Sequence, residues 1–389
     1  MRAWVEVDLD AVEHNIKEVR RVTDPHARVL AVVKADAYGH GYLETARTLV
    51  GNGADFLGVA TFEEAKQLRT HGISAPILIL GPAIVDNLYD IVAYDVIPTV
   101  FDMDTAIRVS EAAQTLGRQA TIHIKLDTGM TRVGYRVYGD LEKDAAVIEE
   151  ILQIAALPGI AVGGIFTHFS KADEADRSFT DEQFRRFVSV TDELDARGLH
   201  IPIRHCCNSA GIIDFPAYHL DMVRSGLITY GHYPSDTVNH QAIDLRPAMQ
   251  FKTVVTNLNR VEAGTAVSYG GTFVAERDML VATIAIGYAD GYSRTLSRRA
   301  QVLVGGRRAP VIGNICMDQC MIDVTHVKNI NVGDEVILFG KDGNDSITVE
   351  AVAALMGTIN YEVLCVIGKR IPRVYIQNGQ FVSVLNYLV

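Results

Sequence analysis

Residues Ala31–Gly41 read AVVKADAYGHG, an apolar β-branched run that ends in Lys34 and is followed by a turn with Tyr38, His40 and two glycines. A buried strand of this composition delivers its last residue to a strand end, where side chains meet solvent or a ligand. An ammonium closing such a run is partly desolvated, which lowers its pKa and frees the amine as a base or as a nucleophile toward a carbonyl. Gly39 and Gly41 let backbone approach a ligand closely, and Tyr38 offers a hydroxyl to a phosphate or carboxylate. Those parts suit pyridoxal 5'-phosphate, although composition alone favours a plain surface lysine at a strand end.

Working outward, the same pattern of a short apolar run followed by a polar residue recurs along the chain. The runs are 29–33, 56–60, 76–80, 96–100, 121–126, 161–167, 201–206 and 220–223. Helical spacing fills the gaps, as in 61–71, where Thr61 and Glu64 form a capping box, and in 181–197. Upstream, 4–9 alternates as a strand and Asp10 is expected to cap a helix bearing Val12, Ile16, Val19 and Val22. Eight alternations predict an α/β fold, a (β/α)₈ TIM-type barrel, with a doubly wound open sheet as the competing architecture. Polar strand ends favour the barrel. Lys34 and Tyr38 follow the first run, Lys125 and Asp127 close the fifth, His168 the sixth, His205 and Asn208 the seventh, and Arg224 the eighth. A barrel gathers all of them at one mouth.

Beyond about Ser235 the texture becomes β-branched and alternating, in 249–258, 279–286, 301–304, 320–324, 335–339 and 370–376, with glycine turns between. The expected division is a barrel over 10–235 and a C-terminal, mainly β domain over 236–389.

At 389 residues two domains are the first expectation. A hydrophobic content of 48% and a charged content of 21% describe an ordinary soluble globular protein. The net charge of -11, without a long basic run, argues against nucleic acid as a partner. The N-terminus has no signal-peptide core and no apolar stretch reaches membrane-spanning length, so a membrane is not expected. Five cysteines, two of them adjacent at 206 and 207, do not form a disulfide framework, and a reducing cytoplasm fits best.

Arg224 ends the eighth run beside Gly226, whose backbone can face a phosphate, and Asn208-Ser209-Ala210 supplies the neighbouring turn. A surface salt bridge is the ordinary role of such an arginine; its place on the same rim as Lys34 favours the site. His168 and His205, each a structural histidine if taken alone, are read as lining it. No metal-ligand spacing is present, and Cys316 and Cys320 lack a second ligand pair, so no metal is expected. KLDTGMTRVG (125–134) sets cations and an aspartate around a tight turn, which taken alone serves equally as a structural loop. In the β domain VSYGG (267–271), GYADGY (287–292), NICMDQC (314–320) and INYEV (359–363) are polar, aromatic and glycine-rich. Tyr269 or Tyr361 alone reads better as a packed tyrosine.

Taken in chain order, these motifs resemble those of the alanine racemase family over essentially the whole sequence. The resemblance implies a barrel holding pyridoxal 5'-phosphate, a β domain that takes in the first strand (2–9), and a homodimer with shared active sites acting on a small amino-acid substrate. It further implies Lys34 as cofactor anchor and one racemising base, and Tyr269 from the other subunit as the opposing base. Arg224 would face the pyridine nitrogen. Tyr38, Ser209, Gly226, Leu227 and Tyr361 would hold the phosphate, with His168, His205 and Asn208 lining the cofactor site and His168 holding Tyr269. Arg132 and the backbone of Met317 would address the substrate carboxylate, and Tyr288 would narrow the entrance. The residue matching Lys125 is carbamylated in many members. Thr131 and the Cys206-Cys207 pair depart from the family pattern, which leaves serine, lysine or broad specificity as alternatives to alanine. A pyridoxal-phosphate carrier and a barrel-type decarboxylase are the remaining readings, both disfavoured by Tyr269 and the full β domain.

Overall fold

The computed structural model describes residues 1–389, the side chain of Val85 excepted. Contacts divide the chain into two compact units: Ala11–Ala37 with Tyr42–Pro247, and Met1–Asp10 with Tyr38–Gly41 and Ala248–Val389.

The first unit is an α/β barrel of eight parallel strands. In order these are Arg28–Val32, Phe56–Val59, Ile77–Pro82, Ile97–Val100, Ala120–Asp127, Ile160–Phe166, Arg204–His205 and Met222–Ser225. Each pairs with the next as far as the seventh, and the eighth pairs in parallel with the first. The remaining seam is bridged by Asp221 N–H donating to Arg204 O at 3.1 Å and Arg224 N–H donating to Cys207 O at 3.0 Å. The expected barrel therefore forms, and the open doubly wound sheet does not. The seventh strand is two residues long rather than six: Ile165 N–H reaches Ile203 O at 2.9 Å, but only Arg204 and His205 pair in register with the sixth strand.

Alternation along the fifth strand sets Ile122, Ile124 and Leu126 on one face and His123, Lys125 and Asp127 on the other. All six are buried, so this strand sends three polar side chains into protein rather than into water.

Two helix caps differ from the expectation. Asp8, not Asp10, caps the first helix: Asp10 N–H donates to Asp8 Oδ1 at 2.9 Å and the helix runs Leu9–Val22. At the helix Phe62–Thr70, Thr61 accepts from Glu64 N–H, but the Glu64 carboxylate does not return to Thr61. It accepts instead from Ala60 N–H and Ala35 N–H, both at 2.7 Å.

The second unit is built on a ten-stranded sheet. Six strands, Met249–Val261, Met279–Ile284, Cys320–Asp323, Arg307–Ile312, Gln301–Val304 and Glu335–Asp342, close an antiparallel ring. Ala3–Asp8 lies between Met249–Val261 and Arg373–Gln377. Arg307–Ile312 and Gln380–Leu385 are absent from the sequence expectation, the former because Pro310 demotes a strand reading. So are the helix Val349–Met356, capped by Thr348, and the short helix Asn360–Cys365. Among the described residues no helix is long and apolar enough to cross a membrane.

Candidate active site

Lys34 leaves the first barrel strand half-buried and opens a left-handed turn. Ala35, Asp36, Ala37 and Tyr38 have φ of 53°, 56°, 53° and 52°. For residues with a Cβ this conformation costs about 1–2 kcal/mol each, so the surroundings must impose it. Among the bonds that do so are Ala37 N–H to Val33 O at 2.9 Å, Tyr42 N–H to Asp36 Oδ1 at 3.0 Å, and the Glu64 contact at Ala35. In the second unit Tyr38 is buried with its ring centroid 6.0 Å from that of Tyr361. Burial, then the neighbouring Tyr361, raises the Tyr38 pKa, so its hydroxyl is a donor and not an anion.

Arg224, at the end of the eighth strand, is 3% exposed. Its Nη1 bonds His205 Nδ1 at 3.0 Å; its Nη2 bonds Thr167 O at 2.8 Å, Cys206 O at 3.0 Å and His168 Nδ1 at 3.1 Å. A guanidinium only donates, so both histidine Nδ1 atoms are acceptors and each neutral ring carries its proton on Nε2. His205 Nε2–H then donates to His123 Nδ1 at 3.0 Å. Among the described residues the next atom, His123 Nε2, is buried without a partner. The His123 ring fits because Gly164 stands beside it: a Cβ there would lie 2.5 Å from His123 Cε1. Burial lowers the Arg224 pKa to about 10, still charged at neutral pH.

Burial and then the Arg224 cation push His123 down to about 3, and burial with Arg224 holds His205 well below the ordinary range. In the unfolded chain each ring titrates near about 6.5. The folded protein binds fewer protons below that pH, so stability is full above about 6.5 and falls as pH drops toward 3. Two such rings give a slope approaching about 2.7 kcal/mol per pH unit. Urea unfolding of wild type and His123→Asn between about pH 7 and about pH 5 is expected to show the variant losing stability less steeply, by about one proton. Equal slopes would mean that His123 is charged in the folded state.

His168 sits half-buried in the middle of a group of cations. Its pKa is held well below normal by burial, then by Arg224, Lys125, Arg132 and Lys34. The structure thus brings together five of the residues singled out from the sequence. Lys125, 4% exposed, places Nζ 4.5 Å from the Phe166 ring centroid, and burial, Arg224 and Arg132 lower its pKa well below normal. Asp127 shapes the loop that carries the exposed Arg132: its Oδ1 accepts from Gly129 N–H at 3.0 Å and Thr131 N–H at 2.9 Å. Thr131 has φ 56° and its Oγ1 accepts from Arg136 at 3.0 Å. Ser209 Oγ accepts from Gly226 N–H at 3.1 Å, joining the segments after strands seven and eight, beside buried Leu227. Asn208 caps the helix Ser209–Asp214 through Gly211 N–H.

In the second unit Tyr269, Tyr288 and Met317 are 69%, 42% and 52% exposed. Tyr269 and Met317 line one cleft of about 950 Å³. Asn314 Nδ2 donates to Tyr269 O at 2.8 Å, and Ser268 Oγ donates to Asn314 O at 2.6 Å. The Tyr288 and Met317 loops are zipped by Tyr288 N–H to Cys316 O at 3.0 Å and Ala289 N–H to Met317 O at 3.1 Å. Lys34 and Tyr269 belong to different units.

Sequence reasoning missed His123 and Glu64. His123 was legible as the polar partner, two residues before Lys125, in an alternating strand; Glu64 carried no signal beyond its capping pattern.

Two family models match the chain, alanine racemase N-terminal domain over residues 7–234 and alanine racemase C-terminal domain over 248–375. Fold and family models thus define a barrel-type amino-acid racemase, an isomerase. An alanine racemase of Methanococcus maripaludis is 46% identical over 373 residues, 96% of this chain and 98% of that one. One from Clostridium perfringens is 44% identical over 385 residues, covering 99% and 98%. Among solved structures, an alanine racemase of Clostridium difficile superposes with TM-score 0.95 at 40% identity, covering 100% of this chain and 99% of that one. That of Bacillus anthracis, with bound L-Ala-P, gives 0.91 at 35%, covering 100% and 98%. The chain belongs to the alanine racemase family.

Proposed function

We propose that the protein interconverts L-alanine and D-alanine with pyridoxal 5'-phosphate at the barrel mouth, using Lys34 and Tyr269 of the partner subunit as opposed bases. The observation that carries this reading is the group of cations around His168, which suits a ligand bearing a phosphate and a carboxylate. The residues present fit the cofactor. Arg224 is buried, anchored through both Nη atoms, and among the described residues its Nε–H meets no protein acceptor, leaving a donor for a pyridine nitrogen. Tyr38, Tyr361, Ser209 and the backbone at Gly226 and Leu227 would hold the phosphate. His205 and His168 fix the Arg224 plane, and Asn208 fixes the helix behind Ser209.

Bound pyridoxal phosphate supplies the conjugated electron sink that stabilises negative charge at the α-carbon. The protein's task is then to bind the amino acid, orient its α-hydrogen and move protons. Arg132 and the Met317 backbone would clamp the substrate carboxylate, and Tyr288 would restrict the entrance. Lys34 Nζ takes or returns a proton on one face and Tyr269 Oη on the other. A free phenol has a pKa of about 10, so Tyr269 needs cationic or donating neighbours such as Arg132 and His168 to act as a base. Tyr269, Tyr288 and Met317 are open to solvent in one chain, which supports a homodimer that buries them against a second copy's barrel. Burial, Arg224 and Arg132 all disfavour an ammonium at Lys125; carbamylation would put an anion there instead, which the two arginines favour. D-alanine made in the cytoplasm for peptidoglycan is the use this activity serves.

The test is α-proton exchange of L-alanine in D₂O with the cofactor-loaded protein, following the D-isomer by chiral chromatography. Exchange with D-alanine rising to about half of the total, as enantiomers of equal free energy require, is the expected result. Exchange with serine or lysine but not alanine would move the substrate; no exchange with any amino acid would overturn the reading.

A further inference from the structure

We propose that Glu64 is a positioning residue for Lys34, holding the left-handed turn that aims it. The inference rests on the role of Lys34 given above. Four consecutive residues with a Cβ adopt positive φ directly after Lys34, a conformation such residues avoid because the Cβ crowds the following carbonyl. Two of the bonds that hold the turn come from neighbouring residues, Val33 O and Tyr42 N–H. Another comes from the first turn of the next barrel helix: Glu64 Oε1 accepts from Ala35 N–H at 2.7 Å. Its other oxygen, Oε2, accepts from Ala60 N–H at 2.7 Å.

One carboxylate therefore ties the loop after the first strand to the loop after the second. The geometry is specific to a carboxylate. Two backbone N–H groups need two acceptor oxygens, and a glutamine offers one oxygen and an NH₂ that opposes the second N–H. Thr61 already caps the helix Phe62–Thr70 through Glu64 N–H, so the side chain of Glu64 is free to serve Ala35. Without it the first amide of the turn loses its acceptor, and Lys34 can relax toward ordinary extended backbone, away from its aim.

The test compares wild type, E64Q, A35G, E64Q/A35G and T61A. Three quantities are read: the rate at which the cofactor-free protein takes up pyridoxal phosphate at Lys34, fixed by borohydride and read by mass; hydrogen exchange over residues 34–38; and kcat and KM. E64Q is expected to slow uptake and lower kcat by about tenfold or more, with faster exchange at Ala35. KM should change much less. Glycine takes positive φ without a Cβ clash, so E64Q/A35G should recover most of the uptake rate. T61A, which loosens the helix cap alone, should lower stability without slowing uptake. A double variant no faster than E64Q, or T61A slowed as much as E64Q, would reduce Glu64 to a helix cap and overturn the proposal. A wild type that takes up cofactor at Lys34 but racemises nothing would sink the proposed function while leaving the uptake comparison decisive. A wild type that takes up none at Lys34 would sink that function too, and exchange over 34–38 would then decide for Glu64.

Discussion

Lys34→Ala is expected to abolish racemisation, lowering turnover by at least about 10⁴-fold, while the chain stays folded. Val29–Val33 are at most 5% exposed and Lys34 itself is only half-buried, so truncating it removes no core packing. On the proposed function, its loss removes a proton-transfer group and the point of cofactor attachment together. Lys125 is the natural competitor, because burial lowers its pKa. It lies 4% exposed against Phe166, where an incoming aldehyde has no access, whereas Lys34 stands at the strand end. Borohydride reduction in the presence of pyridoxal phosphate, followed by peptide mass analysis, separates the two. The expected result is one modified peptide containing Lys34 in wild type and none in Lys34→Ala. Retention of a cofactor adduct on Lys125 in the variant would refute the assignment.

Tyr269→Phe is expected to keep the cofactor and the fold but to stop proton exchange on one face. General acid–base groups contribute about 10²–10⁴-fold, and racemisation should fall within that range because both faces must be served. At 69% exposure in one chain the hydroxyl supports no core, and a surface change of this kind alters stability by within about 0.5 kcal/mol. Borohydride trapping at Lys34 should be unchanged. The discriminating measurement is solvent deuterium incorporation starting separately from L-alanine and D-alanine: one enantiomer should still exchange without inverting, the other should not exchange. Equal residual exchange from both, or unchanged racemisation, would remove Tyr269 as the second base.

The main outline of the barrel was legible because each strand is a local object. Eight apolar runs with polar ends announce eight strands, and the right-handed crossover rule leaves few ways to arrange them. Lys34, Lys125, His168, His205 and Arg224 could be placed on one rim by position alone. Failures came where structure depends on partners. The seventh run spans six residues, yet only Arg204 and His205 find paired partners on the sixth strand, since Pro202 has no N–H to donate. Pro310 hides a strand that its neighbours nonetheless pair. Asp10 reads as the cap from its own stretch, but Asp8 takes that place because the strand Ala3–Asp8 ends there.

By itself the sequence determined which residues have the chemistry: a lysine closing a buried strand, an arginine on the same rim, and tyrosines in glycine-rich loops of a β domain. Periodicity and residue type are properties of a short stretch, and a short stretch suffices to read them. Tertiary structure alone decided what those residues are held by. Arg224 is fixed by two histidines and two carbonyls drawn from other strand ends, His123 stands behind them against Gly164, and the turn after Lys34 is left-handed although none of Ala35, Asp36, Ala37 and Tyr38 is glycine. That turn contradicts local preference, and only bonds from outside it, Glu64 foremost, can make the costly conformation the stable one.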